Sequence, residues 1–225
     1  MQTTFKLFLP FLLCLVLPLL SGCGGGVPRL TPAEQAEVDK FMAEHGRDAM
    51  VHYLQKAFAG NENEQLILKY LKYFVSQGTN VDAQGRDRNT PLHLAIRSGN
   101  TNVIKFLVSN RADVNAKGDQ SYSPLGLALR IGDTETIKFL VSSGADVNAR
   151  GNYHTSTCTP LHRAALDGNV EIVKFFVSKG ADVNARGTFL IGGEFSTPLD
   201  MAKRSGNAEV IRYLESVGAK SSQDL

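Results

Sequence analysis

Apolar side chains recur along this chain at helical spacing, in short runs cut off by glycine. In the stretch Asn89–Asn100, Leu92, Ala95 and Ile96 fall on one helical face. Thr90 is a good cap because its hydroxyl accepts from the free N–H groups that begin a helix. Pro91 suits the first helical position, where no N–H is needed. Gly99 predicts the stop, and Asn100 opens a second helix carrying Val103, Ile104, Leu107 and Val108. The same design returns at Tyr122–Asp133, Cys158–Asn169 and Ser196–Asn207, with Pro91, Pro124, Pro160 and Pro198 spaced 33, 36 and 38 residues apart. A period of that size predicts a stack of helix pairs. Each pair is too small to bury its apolar side alone, so neighbouring pairs complete the core.

The segments that follow the second helices repeat as well. Ala112–Ala116 (ADVNA) recurs at Ala145–Ala149 and Ala181–Ala185, with an earlier variant at Thr79–Ala83. Gly78, Gly144, Gly180 and Gly218 stand at the matching helix end. Arg111 fills that slot in one copy, which predicts strain unless Asn110 takes up the turn.

Upstream, Thr31-Pro32-Ala33-Glu34 is a helix start, with Val38, Phe41 and Met42 on its apolar side. Gly46 interrupts it. Ala49, Met50, Tyr53, Leu54 and Ala57 predict a helix ending near Gly60-Asn61, and Leu66–Val75 a further one ending at Gly78.

Taken together, the turn, Thr-Pro-Leu-His, short helix, Gly-Asn, second helix and Gly-Ala-Asp-Val-Asn-Ala resemble the ankyrin repeat over residues 78–218. The resemblance implies an all-α ankyrin-repeat solenoid with β-hairpin turns and about four repeats, residues 31–77 serving as a helical cap and divergent first repeat. It implies that the His of Thr-Pro-Leu-His ties turns and neighbouring repeats together. Gly126 and Asp200 replace it in two copies, which predicts lost stability there.

Ankyrin domains bind proteins through turn tips and exposed first-helix residues on a concave face. Mapped by motif position, the exposed slots are Leu94, Arg97 and Ser98; Leu127, Arg130 and Ile131; Arg163, Leu166 and Asp167; Met201, Arg204 and Ser205. Arg97, Arg130 and Arg204 share one slot and Arg163 lies in another, an arginine column beside apolar residues that suits an acidic protein partner. Solvated surface arginines would look the same in sequence. The turns before the third and fourth copies are lengthened. The second of them, Gly187–Ser196, holds Phe189, Leu190, Ile191 and Phe195 around Gly192-Gly193, which reads as a β-hairpin finger and a contact site. Packing of Phe189 and Phe195 against the adjacent finger is the alternative.

The first residues carry a different message. Lys6 is the lone charge before an apolar run, Leu7–Leu20, too short for a comfortable membrane span. Leu20-Ser21-Gly22-Cys23 resembles the lipobox of bacterial lipoproteins. That implies removal of residues 1–22, acylation of Cys23 and a flexible tether over 23–30. Gly24 after that cysteine implies delivery to the periplasmic face of the outer membrane.

Formal net charge is only +2, with charges interspersed, which argues against a nucleic-acid partner of the basic-tail kind. On the lipoprotein reading Cys158 is the one unmodified cysteine of the mature chain, so no intrachain disulfide forms and burial is expected. His154, Cys158 and His162 superficially suggest a metal or thiol site. However, His162 belongs to Thr-Pro-Leu-His and His154 to a turn. No phosphate-binding loop, nucleophile elbow or convincing carboxylate pair is present, so no enzyme and no cofactor are expected. The expectation is a monomeric, non-catalytic envelope lipoprotein that scaffolds or inhibits a protein. An immunity protein against a secreted toxin is one form of it; an envelope enzyme or metal carrier is the alternative class. Residues 219–225 are expected to be a tail, frayed from Lys220 on.

Overall fold

The computed structural model of the protein describes residues 30–153, 156–188 and 195–225. The expectations for Cys23, His154, Phe189, Leu190 and Ile191 fall outside them. Eleven helices appear among the described residues: α1 (Pro32–His45), α2 (Ala49–Ala59), α3 (Glu64–Ser76), α4 (Pro91–Arg97), α5 (Thr101–Ser109), α6 (Pro124–Ile131), α7 (Thr134–Ser142), α8 (Pro160–Asp167), α9 (Val170–Ser178), α10 (Pro198–Ser205) and α11 (Ala208–Ser216). Two antiparallel strand pairs accompany them, β1 (Gly151–Tyr153) with β2 (Ser156–Cys158), and β3 (Gly187–Thr188) with β4 (Phe195–Ser196).

The helices lie in two layers. α2, α4, α6, α8 and α10 follow one another side by side, while α3 packs on α5 and α9 on α11 behind them. One continuous apolar core runs between the layers, from Met50 and Leu54 through Leu92, Ile104, Leu125, Leu140, Leu161 and Phe176 to Leu214. Surface ion pairs Lys138–Glu171 and Lys174–Glu209 join α7 to α9 and α9 to α11, exposed enough that solvent screens most of their attraction.

A ladder of polar side chains joins successive copies. Asn115 accepts from Asp146 N–H at 2.9 Å and donates to Gly144 O at 3.1 Å. Asn148 does the same to Asp182 and Gly180, and Asn184 to Lys220 and Gly218. Asp82 stands at the head of this ladder and, having no donor, only accepts from Asp113 N–H. Arg111 takes the left-handed turn itself, at φ 66. Asn110 stays at φ −95 and instead donates to Phe106 O. The expected relief by Asn110 therefore does not occur.

At the N-terminal end, Glu34 caps α1 through Thr31 and accepts from Lys69 of α3, while Tyr73 donates to Asp39. The hydrogen bond from Lys69, those from the capping Thr31 and the lysine's charge hold the Glu34 carboxyl down at about 2. At the other end the chain is docked rather than frayed at Lys220–Ser222. Thr197 Oγ1 donates to Lys220 O, Ser222 N–H donates to Asp200, and Ser221 is buried.

Candidate functional site

The positions that could meet a partner are set by the roots of the turns. His93 Nε2 lies 3.0 Å from Tyr122 O in the next copy, and its Nδ1 faces Thr90 N–H and Oγ1. His162 repeats this with Ser196 O and Thr159. Carbonyls only accept, so Nε2 carries the hydrogen in both rings. Burial, the dominant influence, holds both imidazoles below their ordinary titration range and hence neutral. Where Asp200 replaces the histidine, its carboxylate accepts from Thr197 N–H and from Ser222 N–H at 2.9 Å. Burial there opposes ionisation, but these donors outweigh it and lower the pKa. The predicted weakness at Asp200 is thus offset by a different set of bonds.

Each turn crosses the histidine beneath it closely. A Cβ at Gly118 would sit 2.6 Å from Asn89 Oδ1 and 2.8 Å from His93 Nε2, and one at Gly187 would sit 2.9 Å from Thr157 O and 3.0 Å from His162 Nε2. Only glycine lets the next turn descend this far. The turns then stack, β1 beside the 119–121 turn and β3 beside β2.

The predicted partner-binding residues divide on this frame. Arg97, Arg130 and Arg204 are exposed, Arg163 is half-buried, and Ile131 and Phe195 are 48% and 57% exposed. Leu127 is 5% exposed and belongs to the core, as do Leu94 and Met201, so their predicted exposure is corrected. These three share one slot, and all three are buried in it. In the third copy that slot holds Arg163, which forms an ion pair with Asp167 at 2.8 Å.

Sequence reasoning missed a recess beside Arg163. Between α6–α7 and α8–α9 lies a groove of about 280 Å³, floored by Leu129, Ile137 and Ile172 and rimmed by Arg130, Ile131 and Arg163. At the next junction the helices are drawn together, because Ser205 Oγ donates to Ala165 O and Asn207 Nδ2 to Gly168 O. Asp167 and Asn169 occupy the equivalent positions beside α6, and among the described residues no hydrogen bond ties either back to it. The single arginine among Leu94, Leu127, Arg163 and Met201 was the legible sign.

Phe195 does not fold inward, and its strand pairs with Thr188 at the base of the Gly187–Ser196 turn. Cys158 is buried with its thiol 3.7 Å from Thr188 O, and burial pushes that thiol up to about 11. Both nitrogens of His162 are engaged, and no cluster of three or more metal-ligating side chains forms among the described residues.

The family model for ankyrin repeats, which spans three copies of sequence, matches residues 54–151, 117–187 and 151–224. No curated protein matches the chain.

Proposed function

The chain belongs to the ankyrin-repeat family, whose repeats act as protein–protein interaction scaffolds, and from that premise we propose a non-catalytic domain that binds one protein of the bacterial envelope. The partner contacts the first-helix side through Arg97, Arg130, Arg163, Arg204 and Ile131, and the finger through Phe189, Leu190, Ile191 and Phe195. Acyl chains on Cys23 hold the domain at the periplasmic face of the outer membrane, where it scaffolds or inhibits its partner. No helix among the described residues is long and apolar enough to cross a membrane, so the anchoring rests on residues 1–23.

The observation that carries the protein-binding reading is the exposure of Ile131, at the end of α6, and of Phe195, at the base of the last hairpin, together with Arg97, Arg130 and Arg204 exposed in one shared first-helix slot. Isolated apolar residues on a soluble surface mean little, but Phe195 stands on a turn held by a rigid frame and Ile131 on the rim of the groove between α6 and α8, places that mark contact sites. The test is photo-cross-linking in cells from positions 131 and 195. One protein captured from both positions is expected, and its capture is lost on replacing Phe189, Leu190 and Ile191 with Ser while the melting temperature stays within a few degrees. Equal capture by that variant removes the finger from the interface. Palmitate labelling that survives Cys23→Ser removes the anchor.

A further inference from the structure

Resting on the protein-binding reading above, we propose that the first-helix side takes a partner segment in which one carboxylate side chain stands next to a large apolar one, the two received by adjoining recesses on either side of Arg130. The first recess is a notch between α4 and α6, bordered by Arg97, Arg130, Tyr122, His93 and Asp119, with room of about 10 Å³. That space admits one polar atom and no more. The second is the groove between α6 and α8, with about 280 Å³, enough for a whole apolar side chain.

Charge decides which polar group the notch takes. Arg97 and Arg130 have no carboxylate within ion-pair distance among the described residues, whereas Arg163 is already neutralised by Asp167. Against these two guanidinium groups stands Asp119, and burial keeps His93 neutral. The notch therefore carries one net positive charge, which suits a single carboxylate. A nucleic-acid backbone would bring a row of phosphates against Asp119 and Asp167, so a protein segment is the better match.

Arg130 is held in place for this role. Its guanidinium lies 5.1 Å over the Tyr122 ring, and the carbonyl of Tyr122 is fixed by His93. A partner meeting Arg130 loses little side-chain freedom on contact, which favours affinity. The apolar side chain enters past Ile131, whose exposed face is covered on binding.

The experiment selects a displayed library of random short peptides on the full chain. Selected peptides are expected to share Asp or Glu beside Leu, Ile, Met or Phe. Their affinity should fall by about tenfold or more in Arg97→Glu, Arg130→Glu and Ile131→Asp, and hold in Arg212→Glu on the outer layer. Arg130→Gln, which removes the charge from an exposed side chain, should lose affinity with a melting curve within a few degrees of the parent and so separates binding from folding. Absence of any selected peptide, a consensus without a carboxylate, or binding that survives both Arg130→Gln and Ile131→Asp overturns the inference. If the cellular cross-link persists in that event, the protein-binding reading stands; if both vanish, both fall.

Discussion

His93 Nε2 donates to the carbonyl oxygen of Tyr122 across 3.0 Å, from one repeat into the next. That contact exists for the neutral ring alone in its full form, because Nδ1 must remain an acceptor for Thr90 N–H and Oγ1. His162 makes the same demand through Thr159 and Ser196. Two of the repeat junctions are therefore fastened by imidazoles that resist protonation.

Stability should accordingly fall with acid in a definite window. Both folded-state pKa values lie below the ordinary 6.5. The unfolded chain therefore takes up protons first as the pH falls. The stability from these groups is complete above about pH 6.5 and drains away below it. Thermal melts from about pH 7.5 down to 5 should show a declining melting temperature, and the slope should flatten in the double variant His93→Gln/His162→Gln. An unchanged slope in that variant would assign the decline elsewhere.

Adding a methyl group where the turns cross the histidines should cost more than adding one elsewhere. Gly118→Ala would press on the Asn89 amide and the His93 ring, and Gly187→Ala on Thr157 O and the His162 ring, all at 3.0 Å or less, so each is expected to lose about 1–3 kcal/mol in denaturant melts. Gly60→Ala, whose closest clash is 3.3 Å from Lys56 O and whose φ is −86, should cost well under that. Equal losses at all three positions would mean that the turns do not rest on the histidines as described.

Asp200→Ala should release the C-terminal segment. The substitution leaves Thr197 N–H and Ser222 N–H without their acceptor and is expected to cost about 1–2 kcal/mol. Trypsin should then cut after Lys220 faster than in the parent chain, with the repeats still intact. Identical cleavage rates would show that the segment was never docked.

The buried thiol should be silent until the stack opens. With Cys158 enclosed and its thiol pushed up to about 11, iodoacetamide at neutral pH should leave it unmodified in the folded chain and label it promptly in denaturant. Peptide mapping by mass spectrometry separates this residue from Cys14 and Cys23. Rapid labelling without denaturant would contradict the burial.

Local rules made the helices legible: a Thr or Ser cap, proline after it and glycine at the stop are signals within one turn of backbone. Relations between copies were harder to read. Leu127 and Arg130 lie three residues apart on the same helix, yet one is buried and the other exposed. That difference depends on how neighbouring copies pack, which no signal within one copy encodes. Gly118 looks like any turn glycine in sequence, and its need to clear His93 appears only once the turn is seen lying over the ring. In sequence Asp200 looks like a loss, because the residues that replace the missing histidine contact, Lys220 and Ser222, lie twenty or more positions away.

The most direct test of the recognition surface is hydrogen–deuterium exchange on the full chain, alone and with the protein cross-linked from positions 131 and 195. Binding should slow exchange in the turns at 118–123 and 187–188 and in α6 and α8, with α5, α7 and α9 unchanged. Protection confined to those outer helices, or spread evenly over both layers, would contradict it.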